Sequence, residues 1–165
     1  MIEMELVGVR VEMPSSSPIA LLREVGGDRR VLPIFIGAPE ATAIAFALEE
    51  VVTPRPMTHD LLRNLLDDLG VSLERITVTE LRDGVFHAEL ELHGHDGTHT
   101  VTSRPSDAIA LAARTGSPIF ASEVVLAEAG YLEDEPDDGD DAAPEEVVEQ
   151  FRDFIDSVNP EDFAT

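Results

Sequence analysis

The chain has 165 residues and no cysteine, which excludes a disulfide scaffold, thiolate metal ligation and cysteine nucleophilic catalysis. Apolar residues make up 43%, enough for one core at this length, but aromatics only 5%, so that core is built mainly from Leu, Val, Ile and Ala. Of the net charge of -23, more than half falls on residues 133–165, which hold 14 acidic residues against Arg152 alone; residues 1–132 hold 20 acidic residues and 10 arginines. Neither part has the basic surplus that displaces counterions from phosphates, so contact with nucleic acid is disfavoured unless a local arginine cluster or a metal supplies it. No apolar run approaches the roughly 18 residues of a membrane span, and residues 1–5 lack the basic-then-apolar layout of an export signal. A membrane is therefore not an expected partner, and the cytoplasm is the expected location.

Residues 5–13 alternate loosely (Leu6, Val7, Val9, Val11, Met13), as a strand does when one face is packed. Pro14-Ser15-Ser16-Ser17-Pro18 is a loop, residues 19–25 a second strand, and Gly26-Gly27-Asp28 a turn. Val31-Leu32-Pro33-Ile34-Phe35-Ile36 suits a buried strand, with Pro33 marking an edge or a bulge because it has no N–H to donate. A helix is predicted over 39–51, with Pro39 in its first turn and Ala41, Ile44, Ala45, Leu48, Val51 and Val52 on one stripe. Phe46 falls on the opposite side, which predicts a second packing surface such as a subunit contact.

After the extended Pro54-Arg55-Pro56 connector, Thr58 is the expected cap and Gly70 the expected stop of a second helix. Its predicted buried stripe is Leu62, Leu65, Leu66 and Leu69. Residues 71–81 and 85–93 are predicted to pair antiparallel across Arg82-Asp83-Gly84. Asp96-Gly97 turns the chain into a strand near 99–102, and residues 105–114 form a third helix stopped by Gly116 and Pro118. Ile119-Phe120 is a short apolar segment, and Ser122 caps a helix through Ala129. The expected class is α+β over residues 1–132: a mixed, mainly antiparallel sheet packed with three to four helices. Residues 133–144 are acidic and broken by two prolines and a glycine, and read as a disordered linker. Residues 145–165 then carry a C-terminal amphipathic helix and tail, with Val147, Phe151, Phe154, Ile155 and Val158 at helical spacing.

Four places carry side chains suited to chemistry. The run from His93 to His99 invites a metal, but a two-residue turn at Asp96-Gly97 puts His99 on the face opposite His93 and His95, leaving a solvated hairpin. Thr58-His59-Asp60 is either a satisfied histidine at the core edge beside a helix-start acid, or His59 is a general acid/base in a cleft with Arg55. Arg104-Pro105-Ser106-Asp107 joins a strand to a helix, where free amides, an arginine and a carboxylate suit an anion or a hydrated cation. The plainer alternative there is Asp107 complementing the helix terminus and pairing with Arg104. Glu40 lies in the first turn of its own helix, near the margin of the apolar stripe. A lysine-bearing phosphate loop, a G-x-S-x-G elbow and an H-E-x-x-H helix are all missing, so common nucleotide hydrolases, serine hydrolases and zinc peptidases have no support.

Four segments occur in order: Leu32-Pro33-Ile34-Phe35-Ile36-Gly37, Glu40-Ala41-x-Ala43-Ile44, Pro54-Arg55-Pro56-x-Thr58-His59-Asp60-Leu61, and Ser103-Arg104-Pro105-Ser106-Asp107-Ala108-Ile109-Ala110-Leu111-Ala112. Together, over about residues 3–132, they resemble the bifunctional nuclease domain family of bacteria and plants, and the C-terminal extension resembles segments on bacterial members. The resemblance implies an α+β fold with a mixed sheet, self-association as a homodimer or higher homo-oligomer, and nuclease activity on DNA and RNA. One position departs from the family pattern: Thr102 stands where an Asp often precedes the arginine of R-P-S-D by two residues, which removes one potential metal carboxylate.

The function so implied is a metal-assisted phosphodiesterase. Asp107 with Glu40 or Asp60 would hold a divalent cation, magnesium or manganese, His59 would move the proton, and Arg55 and Arg104 would stabilise charge on the phosphate. Cleavage of single strands that stops with a chelator or with Asp107→Ala is the expectation. The alternative is a non-catalytic regulatory or interaction module on the same fold, its acidic tail binding a basic protein partner.

Overall fold

In the computed structural model, which describes residues 1–12 and 14–132, the alternating segments assemble into one sheet. The elements are β1 (Ile2–Glu12), β2 (Ser17–Glu24), β3 (Arg30–Phe35), α1 (Ala38–Leu48), α2 (Thr58–Asp68), β4 (Ser72–Arg82), β5 (Val85–Gly94), β6 (Gly97–Ser103), α3 (Pro105–Thr115), β7 (Ile119–Ala121), α4 (Glu123–Ala129) and β8 (Tyr131–Leu132). The sheet order is β6-β5-β4-β7-β1-β2-β3-β8. Only β4 and β7 pair in parallel; the other neighbours are antiparallel, so the class is α+β with a mixed sheet, as expected. The acidic linker and the C-terminal helix expected over 133–165 lie outside the described residues. Among the described residues no helix is long and apolar enough to cross a membrane.

Local sequence explains most of the boundaries. The loose alternation of β1 comes from a bulge at Val7, where the register against β2 slips between Leu6 and Gly8, so Met4 and Val9 both turn into the core despite their opposite parity. Pro33 pairs with Leu21 of β2, and β8 reaches only Arg30 and Val31 on the other side, so Pro33 faces an uncovered stretch of edge. Gly70 and Gly116 close α2 and α3 in left-handed conformation, as their positions predict.

Four expectations need correction. Helix α1 stops at Leu48 rather than near Val51, because Glu50 takes a positive φ of 53° and the Val51 N–H returns to the Phe46 carbonyl at 2.9 Å. This is a Schellman closure with no glycine to announce it. Leu48 and Val52 are consequently exposed. Phe46 is not an outer contact; it is buried with Ala45 beneath Val51 and Met57, as the connector after α1 folds back over it. The N-cap of α2 is Met57, not Thr58, and its N–H is held by Asp60 Oδ2 at 3.0 Å.

The leucine stripe of α2 is the largest correction. Leu62, Leu65 and Leu69 are exposed and only Leu66 packs against the core. The helix turns the Leu66 margin of the stripe inward instead of its centre: His59, beside Leu66 on the wheel, is buried, and Asp60 Oδ1 accepts from Arg114 Nε of α3 at 2.6 Å. An apolar stripe gives a helix a sticky face without saying which neighbour that face meets.

Helices α1 and α3 pack on each other and against the sheet, and α2 packs mainly on α3, with the Asp60–Arg114 pair bonding across the α2–α3 joint. Burial raises the Asp60 pKa, but the bonds from Arg114 and the Met57 amide outweigh it and hold the carboxyl below its ordinary value. Its stabilising effect is thus complete above the unfolded pKa and lost as pH falls through the lower folded one. Asp60→Ala would leave the Arg114 side chain, only 5% exposed, bonded to the Ala110 carbonyl alone. We expect it to cost about 3 kcal/mol in urea unfolding at pH 7, with the gap to the wild type shrinking below about pH 4.

Candidate active site

Two helix starts and one buried histidine meet at one place. Arg104 is the N-cap of α3 and Asp107 lies in its first turn, while Glu40 lies in the first turn of α1. The α1–α3 contact brings these two starts together across 64 residues of sequence: Arg104 Nη2 donates to Glu40 Oε1 at 2.7 Å and to Asp107 Oδ1 at 3.1 Å. Arg104 Nε donates to Asp107 Oδ2 at 2.7 Å, completing a two-pronged grip on that carboxylate. The docking of α2 on α3 then sets His59 Nε2 at 3.1 Å from Asp107 Oδ1.

The chemistry follows from how these groups share hydrogens. Burial raises the Asp107 pKa, but the bonds from Arg104 and His59 and the Arg104 charge prevail and hold the carboxyl below its usual range, so that it is ionised. An ionised carboxylate only accepts, so neutral His59 must carry its proton on Nε2 and keep its lone pair on Nδ1. Nδ1 has no partner among the described residues, and no buried side-chain nitrogen or oxygen among them lacks one, so this lone pair reaches solvent. The Asp107 and Glu40 bonds raise the pKa of Arg104, which stays charged. Arg104 uses Nε and Nη2 on the protein, leaving Nη1 with two donors on a side chain that is 65% exposed.

Of the residues singled out in the sequence, the structure brings together Glu40, His59, Arg104 and Asp107. Asp60 faces Arg114 instead, and the Arg55 side chain makes no bond or ion pair among the described residues. The histidine hairpin turns at His95 and Asp96, one residue earlier than expected. His93 bonds Thr98 and His99 bonds Asp96 there. The role of Arg114 escapes sequence reading, because a late arginine on a helix with a glycine stop reads as an ordinary partner for the helix terminus.

A divalent cation does not fit this donor set as it stands. Glu40 and Asp107 are the two carboxylates that would bridge one, yet Arg104 Nη2 already bonds to both at the point a bridging ion would take. The remaining Glu40 oxygen, Oε2, lies against the Gly37 backbone. Among the described residues no group of three or more His, Asp or Glu side chains is arranged to hold a metal.

Gly37 gives a local test of this geometry. It has an ordinary φ of -76°, so alanine is tolerated by the backbone, but its Cβ would collide with Glu40 Oε2. We expect Gly37→Ala to push Glu40 off Arg104 while changing the unfolding free energy by less than about 1 kcal/mol. A crystal structure of the variant should show that ion pair open beyond 4 Å with Arg104–Asp107 intact; an unmoved Glu40 would contradict the assignment.

The Bifunctional nuclease domain model matches residues 20–134, well over half the chain. An uncharacterized protein of Mycobacterium tuberculosis is 47% identical over 98% of this chain and 97% of its own length. Bifunctional nuclease 2 of Oryza sativa subsp. japonica is 25% identical over 68% of this chain, which spans 35% of that protein. Bifunctional nuclease 1 of Oryza sativa subsp. indica is 26% identical over 61% of this chain and 31% of its own. With this match running through α1, α2 and α3, the elements that carry the cluster, the chain belongs to the bifunctional nuclease domain family.

Proposed function

We propose that the protein hydrolyses phosphodiester bonds of nucleic acid at the Glu40–Arg104–Asp107–His59 cluster. The observation that carries this is the His59–Asp107 pair, whose ionised carboxylate turns a basic imidazole nitrogen toward solvent beside an arginine with spare donors. The names of the plant relatives supply the reaction class. His59 Nδ1 would take the proton of an attacking water, the P–O bond to the departing sugar oxygen would break, and the imidazolium, steadied by Asp107, would return the proton to that oxygen. Arg104 Nη1 would meet the non-bridging phosphate oxygens, with the amides at the α3 N-terminus adding to it. Glu40 keeps the guanidinium in place.

The surroundings favour a single strand. A cleft of about 410 Å³ beside Arg104 is lined by Phe35, 59% exposed, with Phe86, Val85 and Ile34. An exposed aromatic beside a phosphate-binding arginine offers an unstacked base a platform, which a base inside a duplex cannot reach. An acidic domain then binds through stacking and one local charge instead of a broad basic surface.

The test is cleavage of end-labelled single-stranded RNA and DNA by purified protein. His59→Ala and Asp107→Ala should each lower kcat by about 10²–10⁴-fold with the far-UV circular dichroism unchanged. Equal activity in both variants would refute the assignment and identify a contaminant. Phe35→Ala should raise KM about tenfold with little change in kcat. No step is routed through a metal while Arg104 holds both carboxylates; an EDTA arm checks this directly, and loss of cleavage restored by magnesium or manganese would contradict the metal-free route.

A further inference from the structure

The exposed leucines of α2 have a spacing that the fold does not use. Leu62, Leu65 and Leu69 follow a three-then-four step, the seam of a helix pair, and Leu61 widens it. The four side chains are between 41% and 68% exposed. A stripe of this kind on a soluble helix calls for an apolar partner.

We propose that residues 147–158 of the same chain pack as a helix on this face. Val147, Phe151, Phe154 and Val158 repeat the same seam with a four-three-four step, and Val148 and Ile155 lie alongside it. At about 100° per residue, Glu145, Glu146, Glu149, Arg152, Asp153 and Asp156 all fall on the opposite side of the wheel. The acidity of this segment therefore faces water and does not meet Asp67 or Asp68 of α2. The exposed leucine face of α2 and the apolar spacing of residues 147–158 are thus complementary seams.

Reach and concentration favour this occupant over a second copy. β8, where the described chain ends, is five places from β4 in the sheet, about 24 Å at normal strand spacing. The twelve residues 133–144 can span up to about 40 Å. A segment tethered in this way acts at an effective concentration near the millimolar range, well above that of another molecule in dilute solution. The match to the mycobacterial relative runs over 98% of the chain and so includes this segment.

The absence of cysteine makes the test free of background. Leu65→Cys in the full-length chain places a single thiol on the face, and Val124→Cys places a reference thiol on α4, where Val124 is 70% exposed. Under a thiol reagent at low protein concentration, Leu65→Cys should react at least tenfold more slowly than Val124→Cys. Adding Phe151→Asp and Phe154→Asp should bring the two rates together. The proposal is overturned if Leu65→Cys reacts as fast as the reference in the intact chain, or if its protection survives the tail substitutions. Protection that vanishes on dilution would also overturn it, by assigning the face to a second copy.

Discussion

One guanidinium ties together the starts of two helices. Arg104 bonds to Glu40 of α1 and to Asp107 of α3, and Asp107 in turn holds His59 of α2. Its exposure means that it adds little to global stability, since ion pairs open to water are worth a fraction of a kilocalorie up to about 1 kcal/mol. Its effect is on geometry. Without the double bond from Arg104, the half-buried Asp107 carboxylate would lose what offsets its desolvation, and His59 would lose the charge that sets its tautomer. A weak contributor to folding can in this way control the protonation pattern of a site.

On the proposed function, the same arrangement resolves the conflict between an acidic protein and a phosphate substrate. Residues 1–132 carry twice as many acidic residues as arginines, so long-range attraction of nucleic acid is missing. What remains is local: two free donors on Arg104, the amides of one helix start and an aromatic cleft next to them. In the proposed function such a site selects flexible strands that can bring a phosphate to one point. It has no means of tracking a duplex backbone.

Much of this was legible in the residues, and the rest was hidden for identifiable reasons. The β4–β5 hairpin, the α3 stop at Gly116 and the Ser122 cap of α4 follow from nearest-neighbour chemistry and need no tertiary information. The Arg104–Asp107 pair was readable too, because it spans three residues at a helix start. Its extension to Glu40 and His59 depends on how three helices pack, which no local spacing encodes. The leucines of α2 mark the limit most clearly. Periodicity identified the stripe, but the Asp60–Arg114 bond and buried His59 rotated the helix so that only the Leu66 margin of the stripe faces inward. Strand β8, two residues long, carries too little pattern to be read at all.

The most direct test of the account is the tautomer of His59, read from the imidazole nitrogen resonances of selectively labelled protein. The neutral ring should carry its proton on Nε2, facing Asp107, and Asp107→Asn should remove this preference. A neutral ring protonated on Nδ1 would contradict it, because the nitrogen turned to solvent would then have no lone pair with which to accept a proton.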